Sequence, residues 1–505
     1  MINHKLPLKP LNTTPHMLSN FLLHPSTIYI ILHTLISTCL AIRIIMRRTP
    51  TGVALAWLLM IYAFPLIGTL AYLLIGERRI GSSRSHGINT IRSNFSEISH
   101  KILNPQSCRI DWPHEHSSAK AMNKIGTNLI GFETAKGNHL ELFSDTTNIL
   151  ASIAKDIDSA NSTVLIEFYI WNEGGLADEV LNSLVRAAQR GVKCIVLIDQ
   201  LGARPWWKSQ QPQQLRNAGI QVRPALPVGL FRTFIGRTDL RLHRKIVVID
   251  GKVAWTGSMN MVDPRFFKQD AGVGQWVDAM TRIQGPIVSP LACTMLSDWA
   301  LESGESLLDL FQQLNIQPTP EVGSADIQVV PSGPGQSGDG LLHMILELIH
   351  SADTELILTT PYLIPDDSLL RALRGAAARG VHVQIIVPEK VDSFLTRHAC
   401  RSYFDDLIDA GIEICLYRDG LLHTKSITVD KEISMFGTVN FDMRSFWLNY
   451  EVALFAYDSA FTHQLRDLQQ SYLNDSNILD KSSWNARPFT QKMLENTLRL
   501  ASPLL

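Results

Sequence analysis

A duplication constrains this chain more than any other feature. The pattern His243-x-Lys245-x4-Asp250, followed by Gly257-Ser258-Met259-Asn260, returns as His423-x-Lys425-x4-Asp430 with Gly437-Thr438-Val439-Asn440 at identical distances from the histidine. One such pattern is weak; two with matching downstream segments are repeats. Upstream, strand, helix and strand readings over Thr163 to Trp171, Leu176 to Arg190 and Val192 to Asp199 are answered by Thr354 to Tyr362, Ser368 to Arg379 and Val381 to Val387. Arg190-Gly191-Val192 matches Arg379-Gly380-Val381, and Asn217-Ala218-Gly219-Ile220 echoes Asp409-Ala410-Gly411-Ile412. This alternation predicts an α/β fold: two α/β halves packed with pseudo-twofold symmetry, with mainly parallel sheets and terminal antiparallel hairpins.

The β-prone run Leu242 to Ile249, the turn residues Asp250-Gly251-Lys252 and a second run from Val253 to Asn260 read as a hairpin. A turn centred on Gly251-Lys252 makes His243 face Asn260 and Lys245 face Ser258. Centred on Lys431-Glu432, the second copy sets His423 opposite Asn440 and Lys425 opposite Thr438. Cross-strand partners lie about 5 Å apart, so each hairpin is expected to gather an imidazole, an ammonium, a hydroxyl and an amide on one patch. Asp250 and Asp430 stand an odd number of residues from their histidines and face the other way, as supporting turn residues of the motif.

That inventory suits a phosphodiester. Two Lys, two Asn and two hydroxyls supply donors and positive charge, while two imidazoles with ordinary pKa near ~6.5 offer a nucleophile and a general acid. One neutral His attacks phosphorus, the other protonates the leaving alcohol, and a second hydroxyl opens the phosphohistidine; neither metal nor cofactor is called for. The 6 cysteines are scattered without C-x-x-C spacing, which indicates neither a zinc site nor a disulfide framework. Gly333-Pro334-Gly335-Gln336-Ser337-Gly338 formally matches a dinucleotide fingerprint but, with Pro334 lacking a donor, reads as a loop near the site. His114-Glu115-His116 reads as an exposed loop.

Net charge is -1 and no broad arginine stripe is evident, which argues against a nucleic-acid partner. Thr27 to Met46 is largely apolar, and Val53 to Ile75 is an uncharged run; each approaches the ~20 residues of a bilayer span, and a helical hairpin in the membrane follows, kinked at Pro65. Lys and Arg outnumber those at the turn (Arg43, Arg47, Arg48) on the other flanks, which favours a cytoplasmic catalytic body. Phe231 to Arg237 and Trp206-Trp207-Lys208 interleave rings with cations, which suits either a loop packing its rings inward or an interfacial patch that admits an anionic headgroup. The expected divisions are a polar leader 1–26, the hairpin 27–76, a linker 77–135, and halves 136–312 and 325–505.

At the paired motifs the chain resembles the phospholipase D superfamily, and within it the membrane-anchored bacterial cardiolipin synthases. The resemblance takes in Leu74-Ile75-Gly76-Glu77, Ile166-Glu167-Phe168-Tyr169-Ile170-Trp171, Thr360-Pro361-Tyr362-Leu363-Ile364-Pro365-Asp366 and Arg444-Ser445-Phe446-Trp447-Leu448-Asn449-Tyr450-Glu451. It implies that His243 is the nucleophile and His423 the acid, and that Glu451 and Asp278 orient the histidines. Asp278 follows a longer loop, Phe266 to Gln275. It further implies transfer of a phosphatidyl group between two phosphatidylglycerol molecules to give cardiolipin and glycerol in the bacterial inner membrane. A hydrolase using water as acceptor is the alternative.

Overall fold

The computed structural model describes residues 24–77, 80–81, 84–91, 110, 117–229, 237, 239–335 and 339–502. Phe231 to Gly236, His114-Glu115-His116 and Gln336 to Gly338 lie outside them. The chain divides into a small unit, residues 1–79 with 233–237, and a large one.

In the small unit, the helix Pro25–Met46 is long and apolar enough to cross a membrane. Large side chains such as Ile30, Leu35, Ile42 and Ile45 are exposed along it, the surface expected of a helix solvated by lipid. The second apolar run departs from expectation. It is not one kinked span but two helices, Thr51–Ala63 and Pro65–Ile75. Pro65 has no N–H to donate and disfavours the helical region at the preceding residue, and Phe64 accordingly leaves it (φ -127, ψ 78). Past the break the chain folds back so tightly that a Cβ on Gly68 would lie 2.1 Å from the Met60 carbonyl oxygen. At the end of the unit, buried Glu77 accepts from Arg43 Nε at 2.5 Å and Tyr72 Oη at 2.8 Å.

The large unit holds both halves. The first supplies β1 (Ala135–Phe143), β2 (Thr163–Phe168), β3 (Lys193–Asp199), β4 (Gln221–Ala225), β5 (Arg241–Leu242), β6 (Ile246–Ile249), β7 (Val253–Gly257), β8 (Trp276–Val277) and β9 (Met280–Gln284). The second supplies β10 (Ala325–Ser332), β11 (Glu355–Thr359), β12 (Leu363–Ile364), β13 (His382–Pro388), β14 (Glu413–Tyr417), β15 (Leu421–Leu422), β16 (Ser426–Val429), β17 (Ile433–Gly437), β18 (Phe441–Asp442), β19 (Asn449–Ala456) and β20 (Ser476–Ile478). One sheet runs through both, in the order β20-β14-β13-β11-β16-β17-β19-β10-β1-β9-β7-β6-β2-β3-β4. The antiparallel contact of β1 with β10 joins the halves.

The sheet is mixed rather than mainly parallel. The trios β2-β3-β4 and β11-β13-β14 run parallel in it, as does the short β5 beside β19, and antiparallel strands flank the trios. The trios keep the α/β character: every residue of β2 is buried, as a strand covered on both faces requires. The repeated Arg-Gly-Val is a helix stop. Gly191 (φ 90) and Gly380 (φ 92) take the left-handed conformation that ends a helix. Arg190 Nη2 then donates to Ile157 and Ala160 carbonyls, and Arg379 Nη2 to those of Ile349 and Ala352.

Two further expectations change. The segment read as a surface linker contains the helix Ser117–Leu129, whose Ala119 and Met122 are buried in the core of the second half; Arg84 is tied to Tyr450 Oη and Glu302. Trp206 and Trp207 form no interfacial patch. Trp206 stacks on Trp171 at 5.4 Å and is buried, and Trp207 Nε1 donates to Asp199 O.

Candidate active site

Both hairpins form, one residue out of the expected register. β6 pairs with β7 from Ile246 with Thr256 to Ile249 with Val253, and β16 with β17 from Ser426 with Phe436 to Val429 with Ile433. The reason is in the turns. Asp250 and Gly251 (φ 53 and 64), and Asp430 and Lys431 (φ 51 and 63), are left-handed, so each tight turn is centred on the aspartate and its successor. The carboxylates then cap the starts of β2 and β11 respectively. Asp250 accepts from the N–H groups of Asn161, Ser162 and Thr163, and Asp430 from those of Asp353, Thr354 and Glu355, at 2.7 to 2.9 Å. Neither aspartate lines the cavity described next.

Upstream of β6 and β16, each chain segment leaves its own hairpin and crosses to the other half. β5 runs parallel to β19, with Arg241 opposite Asn449, while β15 runs parallel to β8, with Leu421 opposite Trp276. His243 N–H donates to Tyr450 O at 2.9 Å, and His423 N–H to Val277 O at 2.8 Å. The crossing delivers each histidine to the carboxylate of the opposite half. His243 Nδ1 lies 2.8 Å from Glu451 Oε2, and His423 Nδ1 lies 2.7 Å from Asp278 Oδ1. All four groups are buried.

The hydroxyls expected to meet phosphate hold these carboxylates instead. Ser258 Oγ donates to Asp278 Oδ1, and Thr438 Oγ1 to Glu451 Oε2, each at 2.6 Å. Each patch is therefore composite: the hydroxyl and carboxylate of one half orient the imidazole of the other. Arg244, between His243 and Lys245, ties the halves further through Glu451 O, Ser332 O and Asp298.

His243, Asn260, His423 and Asn440 line one cavity of about 320 Å³. Asn260 Oδ1 accepts from Ile170 N–H at 3.2 Å, while buried Asn440 Oδ1 has no partner among the described residues. The ammonium groups of Lys245 and Lys425 are fully buried and donate to the carbonyls of His243 and His423 respectively. Each lies in the field of both Glu451 and Asp278. The pseudo-symmetry breaks around the rings. Tyr169 meets His243 edge-on at 5.0 Å, whereas Trp276 lies 4.4 Å from His423.

Burial dominates the electrostatics. It pushes both imidazoles down to about 4, against the pull of Glu451 on His243 and of Asp278 on His423. It lowers Lys245 to about 8 and Lys425 well below the usual range. Burial opposes ionisation of Asp278 and Glu451 too, but hydrogen bonds from the histidines and from Ser258 and Thr438, together with the positive charge on this side of the site, outweigh it and hold both below the usual carboxylate value. Near neutral pH the free site thus has neutral imidazoles facing carboxylates. A phosphodiester monoanion reverses that balance, because its charge stabilises one imidazolium. Binding of a phosphonate analogue of the donor lipid at pH 7 should therefore take up roughly one proton. Binding enthalpies measured in buffers of differing ionisation enthalpy would read this directly; zero uptake would mean that the imidazoles are protonated beforehand.

Several cavity residues carried no assigned role in the sequence reading: Tyr169, Arg241, Lys268, Tyr362, Asp392 and Arg444. Arg241 shares strand parity with His243, a signal that was available. Lys268 and Asp392 meet only through tertiary structure. Gly333 to Gly335 is a supporting loop: the Pro334 carbonyl accepts from Tyr450 Oη, next to Glu451.

Comparison with known proteins agrees with this architecture. Residues 153–281 and 345–472 both match the family described as cardiolipin synthase, PLD-like domain. The chain belongs to that family. Residues 36–77 match the phospholipase D-nuclease N-terminal family. Cardiolipin synthase A of Pectobacterium carotovorum subsp. carotovorum (strain PC1) is 42% identical over 464 residues, covering 92% of this chain and 95% of the relative. Its counterpart in Serratia proteamaculans (strain 568) shows the same identity and coverage. Among solved structures, a phosphatidylserine synthase from Haemophilus influenzae Rd KW20 aligns with a TM-score of 0.58 at 16% identity, covering 77% of this chain and all of that one; it shares the fold.

Proposed function

We propose that this chain, a phosphatidyltransferase of the cardiolipin synthase class, moves the phosphatidyl group of one phosphatidylglycerol onto another. The observation that carries the reading is the exchanged pair of His–carboxylate dyads opening on one cavity. Nε2 of His243 attacks phosphorus. The bond from phosphorus to the glycerol oxygen breaks, and that oxygen takes the proton of His423. Glycerol leaves; His423 then removes the proton from the terminal hydroxyl of a second phosphatidylglycerol, whose oxygen displaces His243. One phosphodiester replaces another, so no nucleotide drives the step. Lys245, Lys425, Asn260 and Asn440 offset charge on the nonbridging oxygens. Glu451, held by Thr438, orients His243, and Asp278, held by Ser258, orients His423. Asp250 and Asp430 act at a distance, by fixing the motif turns to β2 and β11.

The catalytic halves are 136–312 and 325–505, and the apolar segment within 27–76 holds the enzyme in the bacterial cytoplasmic membrane with its body on the cytoplasmic side. Support comes from the exposed apolar surface of Pro25–Met46 and the Lys and Arg excess outside the turn.

Purified protein incubated with phosphatidylglycerol in mixed micelles, without nucleotide or added metal, is expected to yield cardiolipin and glycerol in equal amounts. Phosphatidic acid with little cardiolipin would replace the reading with a water-using phospholipase.

A further inference from the structure

The duplicated halves differ between the motif asparagine and the carboxylate strand. In the second half the short helix Met443–Trp447 fills that interval. The first half has the longer segment from Met261 to Gln275. It carries Lys268 across to the second half, where Nζ meets Asp392 Oδ2 at 3.0 Å. The other oxygen of Asp392 accepts from Tyr362 Oη at 3.0 Å. The same ammonium stands 5.4 Å from the Trp276 ring, which lies 4.4 Å from the imidazole of His423. Lys268, Trp276, Tyr362, Asp392 and His423 all line the catalytic cavity. His243 has a different neighbour at the equivalent place: Asn449 occupies on β19 the position that Trp276 occupies on β8.

We infer that Lys268 is the specificity-determining residue for the acceptor, binding the phosphodiester of the alcohol that enters beside His423. The inference rests on the transferase reading above. An acceptor that must give its hydroxyl proton to His423 keeps its own phosphodiester one glycerol away, and that anion cannot share Lys245 and Lys425, which the transfer mechanism above assigns to the reacting phosphodiester. Lys268 is set one indole away from His423, on the same cavity. Its side chain is 44% exposed, open to a ligand entering the cavity. The contact with Asp392 occupies one of three ammonium donors, leaving two for phosphate oxygens. Departing glycerol is neutral and gains nothing from this cation. The extra loop therefore favours a phosphorylated alcohol over small neutral ones at the same position.

The test is a competition. Full-length wild type, Lys268→Gln and Lys268→Arg are given phosphatidylglycerol micelles with 1-butanol, and cardiolipin and phosphatidylbutanol are quantified together. Lys268→Gln should lower the ratio of cardiolipin to phosphatidylbutanol by about tenfold or more, through a raised apparent KM for the lipid acceptor, and Lys268→Arg should restore most of it. An unchanged ratio, including one in which both products fall together, overturns the inference, as does an Arg variant no better than Gln. Wild type forming phosphatidylbutanol but no cardiolipin would overturn the lipid-acceptor reading itself.

Discussion

His243→Asn and His423→Asn each lower phosphatidyl transfer by about 10³-fold or more, and a donor lipid with a nitrophenolate leaving group separates the two. Nitrophenolate departs without a proton, so the loss of an acid at His423 no longer blocks the first step, while the loss of the nucleophile at His243 still does. With that donor, His423→Asn should release nitrophenol in a burst near one equivalent and hold an acid-labile phosphatidyl group, because no base remains to activate the acceptor. His243→Asn should show neither burst nor adduct. Both rings are buried against a carboxylate, and the assignment of nucleophile and acid rests on the family resemblance. A burst in His243→Asn with none in His423→Asn would exchange the two roles. Two silent variants would remove the covalent intermediate.

Much of this site is legible in sequence because it is local. The duplicated spacing reports two equivalent units, and Arg-Gly-Val marks the same helix stop twice because a left-handed residue past a helix end calls for glycine. The hairpins are legible as well, and their register was recoverable: Asp-Gly itself suits the two left-handed positions of a tight turn, so the turn belongs one residue earlier than the β-prone runs suggest. Other features are settled by contacts far apart in the chain. β5 and β15 are two residues long, too short for any period, and their partners β19 and β8 lie in the opposite half. Nothing local reveals that Ser258 and Thr438 are committed to carboxylates, nor that Lys268 reaches Asp392. The break at Phe64 lies between these cases: Pro65 announces it, but the tight return depends on Gly68 packing against Met60.

The exchange of carboxylates between halves has a consequence opposite to the one that proximity in sequence suggests. Asp278 follows His243 in the first half, and Glu451 follows His423 in the second; pairing within each half would make Asp278→Asn a defect of the nucleophile. The observed contacts run across, Glu451 to His243 and Asp278 to His423. Replacing a carboxylate that orients a catalytic imidazole costs about 10²–10⁴-fold in rate, so both Glu451→Gln and Asp278→Asn should be severely impaired with phosphatidylglycerol. With the nitrophenyl donor they should part company. Asp278→Asn, having lost the partner of His423, should still form the phosphatidyl adduct and release it slowly, whereas Glu451→Gln should form it slowly. The pH dependence follows the same assignment. Asp278 favours the charged form of His423, so its removal lowers the pKa of the acid and moves the basic limb of the transfer profile to lower pH. A fast burst in Glu451→Gln together with a slow one in Asp278→Asn would place each carboxylate in the service of its own half and refute the crossed arrangement.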